Sequence, residues 1–118
     1  MTEVDNSRGT DGAVVYRVTG DLDVVSAPAA AMGLEILELT RPPKLVLDLR
    51  DVEMVDSTGL RVVVEAASRA RREDRELTIV DDPEGILRKL LTFAALDLRV
   101  PIVDEMPEGS SQDVTARL

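Results

Sequence analysis

Leu45-Val46-Leu47-Asp48-Leu49, continued by Arg50-Asp51-Val52-Glu53-Met54-Val55 and then Asp56-Ser57-Thr58-Gly59-Leu60, decides how this chain folds. Its first five residues are apolar apart from one aspartate and show no polar alternation. Such a run suits a strand buried on both faces, as in parallel sheets covered by helices. The acidic stretch that follows reads as a loop, and Asp56-Ser57-Thr58-Gly59 then opens a helix. Leu60, Val63, Val64 and Ala67 recur at helical spacing behind it. Arg69, Arg71 and Arg72 fall near the end of that helix, where cations suit the dipole.

Upstream, Ala13 to Val18 is rich in β-branched residues and predicts a strand that Gly20-Asp21-Leu22-Asp23 breaks. Ser26 is placed to cap a helix, with Pro28 tolerated in its first turn. Ala27, Ala30, Ala31, Leu34 and Leu37 carry that helix to about Leu39, before Arg41-Pro42-Pro43 stops it. Downstream, Leu77 to Val80 predicts a strand, and Asp81-Asp82-Pro83 begins a third helix with Ile86, Leu87, Leu90 and Leu91 turned inward. Val100 to Val103 is a short last strand. Residues 1–12 read as a flexible lead, 13–104 as one domain, and 105–118 as a polar, disordered tail. Strands alternating with helices predict an α/β fold: a small, mostly parallel or mixed four-stranded sheet packed with three or more helices.

Composition narrows the chemistry. The 118 residues allow one hydrophobic core, built from aliphatic side chains because only Tyr16 and Phe93 are aromatic. A formal net charge of −9 argues against direct nucleic-acid binding and favours protein partners with basic patches. With no cysteine and no histidine, the chain lacks disulfides, thiol catalysis, the usual metal-ligand sets and a histidine base. Neither a metal nor another cofactor is expected. The polar start, Met1-Thr2-Glu3-Val4-Asp5, shows no secretory leader, and no apolar run approaches the roughly 20 residues that span a bilayer. The expectation is a cytoplasmic protein without membrane insertion.

Parallel strands joined by helices bring their carboxyl ends to one edge of the sheet, where binding sites gather. The loops leaving that edge carry Asp21 and Asp23, then Asp56, Ser57 and Thr58, then Asp81 and Asp82. Three distant segments thus predict one acidic rim with a hydroxyl at a helix start. Residue by residue there are plain readings: Ser57 as an N-cap, Gly59 as a tight turn, and the aspartates as turn chemistry on a solvated edge.

The whole pattern says more. The segment from Leu45 to Leu60 resembles the signature of bacterial anti-sigma factor antagonists, the STAS domain family: an apolar strand, an acidic loop, and Asp-Ser-(Ser or Thr)-Gly-Leu at a helix start. Thr19-Gly20-Asp21-Leu22-Asp23 is similar to the family's Gly-Glu-Leu-Asp loop, and Leu77-Thr78-Ile79-Val80 and Phe93-Ala94-Ala95-Leu96 fall where the family has its next strand and last helix end. The resemblance spans Ala13 to Asp104. It departs at Arg72-Glu73-Asp74-Arg75, where the family often has Gly-Gly, and at Ala95, where a glycine is common. The resemblance implies that Ser57 is phosphorylated by an anti-sigma factor with serine kinase activity, and that a serine phosphatase resets it. It also implies that Asp21, Asp23, Asp56, Thr58 and Gly59 complete the partner-binding loops. Some relatives of the domain instead serve as regulatory subunits of lipid transporters or in stressosome-like scaffolds.

Enzymatic readings fare worse. Asp56-Ser57-Thr58-Gly59 has one residue too many for an aspartic protease loop. A serine hydrolase needs a base near Ser57, and neither Lys44 nor Lys89 lies in a loop that reaches it. A phosphoacceptor role for Asp48 lacks an acidic pair after the first strand and a lysine after the last. The chain reads as a binding protein and not an enzyme.

Overall fold

A computed structural model describes residues 13–85, 87–90, 92, 99–107 and 110–118. The elements run β1 (Ala13–Leu22), α1 (Ala27–Glu38), β2 (Lys44–Val55), α2 (Ser57–Arg72), β3 (Glu76–Val80), β4 (Ile102–Val103) and β5 (Ser110–Arg117). A third helical segment between β3 and β4 holds residues 87–90 and 92. The strands form one sheet in the order β4-β3-β2-β1-β5, and every pairing among them is parallel.

Side-chain alternation sorts the sheet into two faces. Val14, Tyr16, Val18, Leu45, Leu47, Leu49, Leu77 and Ile79 form the main core with Ala30 and Leu34 of α1 and Val63, Ala66, Ala67 and Ala70 of α2. The opposite face carries a smaller cluster of Val15, Val46 and Val80, with Val103 and Met106 against it. The same face holds Asp48, whose carboxylate meets Arg17 Nε at 3.1 Å and Arg50 Nη2 at 2.9 Å. Burial alone would push the Asp48 carboxyl up, but hydrogen bonds from Arg50 and Arg17 outweigh it and hold the carboxyl below its ordinary range.

Small residues let the helices lie close to the sheet. A Cβ at Gly33 would stand 2.6 Å from the Tyr16 hydroxyl, which donates to the Ala30 carbonyl at 2.9 Å. Arg69 does more than face the helix dipole: its guanidinium forms two hydrogen bonds to Glu38, at 2.8 and 3.2 Å, and so ties α2 to α1. Just past the Glu73 C-cap of α2, Asp74 takes a left-handed φ of 56°. The amide of Arg75 then donates to Ala70 O and that of Asp74 to Arg71 O, a pattern that aspartate tolerates better than most residues.

Several expectations are corrected. The sheet has five strands, because residues 110–117, read as disordered tail, pair with β1 from Ala13 to Thr19. The pairing rests on backbone hydrogen bonds, which a polar sequence can make at a sheet edge as well as an apolar one. The strand β1 does not break at Gly20; it runs on to Leu22 through register shifts, with Gly20 at φ 97°. Likewise β2 extends through the presumed loop to Val55. Ser26 precedes α1 without capping it through its side chain. Leu87 is buried but Leu90 is exposed, while Ile86, Leu91 and the Phe93–Leu96 segment lie outside the described residues, as do residues 1–12.

Candidate functional site: the start of α2 and the loop before α1

The carboxyl ends of β1 and β2 converge, and one aspartate, Asp56, joins the loops that leave them. Asp56 adopts an extended backbone, φ −110° and ψ −175°, and is the N-cap of α2. Its Oδ1 accepts the Gly59 amide at 2.9 Å. Its Oδ2 accepts the Val24 amide at 2.9 Å from the other loop. The cap is therefore Asp56 and not Ser57, a correction to the plain reading of Ser57: the extended backbone of Asp56 brings its carboxylate to the Gly59 amide.

Asp23 organises the β1–α1 loop from within. Its Oδ1 accepts the amides of Val25 and Ser26, both at 3.0 Å, and its own amide donates to Ser26 Oγ at 3.0 Å. The Ser26 hydroxyl donates to the Asp21 carbonyl at 2.5 Å, so Ser26 works as a loop staple. The Ser26 amide, with further help from the Val25 amide, holds the Asp23 carboxyl below its ordinary range despite some loss of hydration. Asp23 and Asp21 are half-buried and Asp56 is exposed, so the three aspartates form an open rim.

Ser57 is the first residue of α2 and is exposed; Thr58 beside it is half-buried. Among the described residues, no hydrogen bond engages either hydroxyl. Gly59 is buried, and a Cβ there would stand 2.0 Å from the Leu22 carbonyl oxygen. Its part is to let α2 press against the end of β1, which sets Ser57 beside Asp21–Ser26.

The third predicted contributor behaves differently. Asp82 is exposed and accepts the Glu84 amide at 3.0 Å, an ordinary turn. Asp81, read as part of a solvated edge, is 3% exposed, and its Oδ2 has no hydrogen-bond partner among the described residues. Burial pushes its carboxyl above the ordinary range, against the pull of the Asp82 amide and Arg88. Asp81, Asp82, Arg50 and Met54 line a cleft of ≈ 170 Å³ between β2 and the loop after β3. A larger cleft, ≈ 710 Å³, lies at the opposite pole among Glu38, Pro43, Arg69 and Arg75, away from Ser57. Among the described residues no group of three or more acidic side chains is arranged to hold a metal, and no helix is long and apolar enough to cross a membrane.

A five-stranded parallel sheet with its helices packed on one face, and a motif loop capped by Asp56, matches known proteins. The STAS domain family matches residues 6–108. An anti-sigma-B factor antagonist of Listeria monocytogenes is 35% identical over 81 residues, covering 69% of this chain and 70% of that protein; its counterpart in Listeria innocua matches equally. Among solved structures, an anti-sigma factor antagonist from Mycobacterium paratuberculosis superimposes with a TM-score of 0.69 at 28% identity, covering 84% of this chain and 83% of the other. The antagonist SpoIIAA in its unphosphorylated form shares the fold, with a TM-score of 0.64, 16% identity, and coverage of 85% and 86%. The chain belongs to the STAS domain family of bacterial anti-sigma factor antagonists.

Proposed function

We propose that this chain is a non-enzymatic, partner-switching regulator of transcription. Unphosphorylated, it binds an anti-sigma factor that is also a serine kinase, and so frees a sigma factor. Phosphorylation of Ser57 ends the binding, and a serine phosphatase restores it. The partners place its work in the cytoplasm, without contact to nucleic acid or membrane. The observation that carries the reading is the division of labour at the start of α2. Asp56 satisfies the helix start, which leaves the neighbouring Ser57 hydroxyl exposed and uncommitted.

The physics of the modification follows from that geometry. A helix N-terminus accommodates a phosphate, because its open amides and dipole favour an anion. The fold therefore survives, while about −1.5 to −2 charge is added to a rim that already holds Asp21, Asp23 and Asp56. A kinase must bring a carboxylate base to the serine hydroxyl, so the product phosphate faces a carboxylate. At an effective dielectric near 20, a unit charge about 6 Å from that carboxylate costs roughly 3 kcal/mol before screening. That corresponds to a loss of about a hundredfold in affinity. Recovery of partners from the source cell with the Ser57→Ala protein, followed by phosphorylation of the wild type by the recovered kinase, tests the reading. Peptide mapping should place the phosphate on Ser57, and equal labelling of Ser57→Ala would contradict it.

A further inference from the structure

One face of α1 has no counterpart among the described residues. Ala27, Ala30 and Leu34 bury the inner face, yet the outer face is also apolar. Val25 is 84% exposed, Met32 64%, Ile36 58% and Leu39 79%, with exposed Ala29 between them. These positions step by four, three, four and three residues, the spacing of a coiled-coil seam. Val25 belongs to the same helical path, because the Ala27 amide already donates to the Asp23 carbonyl at 2.7 Å. The stripe is about 21 Å long at 1.5 Å per residue. A helix that is apolar on both faces is normally buried, and a contiguous exposed apolar stripe marks an interaction surface.

Charge identifies the occupant. The helix α1 contains no lysine or arginine; its charged residues are Glu35, exposed beside the stripe, and Glu38, which is buried against Arg69. A second copy would set Glu35 against its own kind between two chains of net charge −9. An anionic lipid surface would be repelled for the same reason. We propose that the Val25–Leu39 stripe docks an amphipathic helix of a protein partner, with apolar residues at heptad spacing and lysine or arginine on its flanks. The inference rests on the reading that a protein partner covers the Ser57 rim, since the stripe runs into that rim at Val25.

The probe is a designed peptide of about three heptads, with leucine at the a and d positions and lysine at e and g. A twin peptide carries glutamate at e and g. Titrations near physiological ionic strength limit non-specific attraction to the acidic chain. The triple variant Met32→Gln, Ile36→Gln, Leu39→Gln keeps the net charge and good helix formers, and its circular dichroism reports whether it folds. Wild type should bind the lysine peptide, and the triple variant and the glutamate peptide should each bind at least about tenfold more weakly. Equal binding of the lysine peptide by wild type and variant would overturn the proposal. So would a wild-type dimer in sedimentation that the substitutions abolish, or flotation with anionic vesicles. None of these measurements involves phosphorylation, so their failure leaves the Ser57 reading standing.

Discussion

The carboxylate of Asp56 lies 2.9 Å from the amide of Val24, a residue thirty-two positions earlier in the chain. That bond, with the one from Gly59 to the other carboxylate oxygen, makes the helix cap and the loop clasp a single side chain. Ser57 is left free because its neighbour does both jobs.

Replacing Asp56 therefore costs more than a cap. Asp56→Ala should destabilise the protein by about 2 kcal/mol, the upper end for lost N-caps, because the Val24 amide also loses its partner. Asp56→Asn keeps one acceptor oxygen and turns its amide nitrogen toward the other N–H, so it should recover only part of that loss. Denaturant unfolding gives the energies, and hydrogen exchange at Val24 shows whether the clasp has opened.

Gly59 should tolerate no side chain. A Cβ at 2.0 Å from a backbone carbonyl cannot be relieved by a rotamer change, so β1 and α2 must move apart. Gly59→Ala should lose about 2–3 kcal/mol, the scale of an overpacked core. The same variant should perturb the Asp21–Ser26 resonances in a nuclear magnetic resonance spectrum. An alanine tolerated within a few tenths of a kcal/mol would contradict the close approach.

Chain termination after Asp104 removes β5, which pairs with β1 along Ala13 to Thr19. The truncated protein should unfold at lower denaturant, with a loss above about 1 kcal/mol. An unchanged midpoint would mean that β5 contributes nothing, as its polar sequence alone suggests.

Asp81 and Asp48 are both buried, and their pH dependence should have opposite signs. The Asp81 carboxyl titrates above its ordinary range because burial penalises its charge. Its favourable protonated state is thus fully present below the unfolded value near 3.9 and is lost as pH rises through the folded value. Asp81→Asn should raise stability at pH 7, and the gain should vanish at low pH. Asp48 titrates below its range, so its stabilisation is present above the unfolded value and lost as pH falls through the folded one. Asp48→Asn should therefore destabilise the protein at pH 7, where it removes the carboxylate that the Arg50 and Arg17 guanidinium groups bond. Thermal melts taken stepwise from pH 7 down past the ordinary carboxylate range separate the two.

Much of this was legible in sequence because burial writes itself as pattern. The apolar run at Leu45–Leu49 marked β2 as a strand buried on both faces, and the spacing of Leu60, Val63, Val64 and Ala67 marked α2, whose buried side also takes in Ala66 and Ala70. The Asp-Ser-Thr-Gly order pointed to the candidate site. What stayed hidden depended on backbone geometry or on distant neighbours. β5 is held by ladder bonds from polar residues, and Asp56 and Ser57 are equally good caps until φ and ψ choose between them. Asp81 resembles a turn aspartate until the loop closes over it. The outer stripe of α1 is visible as a heptad only once Leu34 is known to face inward.

The central claim, that Ser57 is an electrostatic switch and not a cap, is tested most directly by partner affinity at three states of one residue. Calorimetry with the recovered anti-sigma partner, at low and high salt, would compare wild type, Ser57→Ala and protein phosphorylated at Ser57. Because Asp56 already caps α2, Ser57→Ala should keep its stability within about 0.5 kcal/mol and still bind. The phosphorylated protein should fold as well as wild type yet bind about a hundredfold more weakly, with the gap narrowing as salt rises. Equal affinity for the phosphorylated and unphosphorylated proteins would contradict the account.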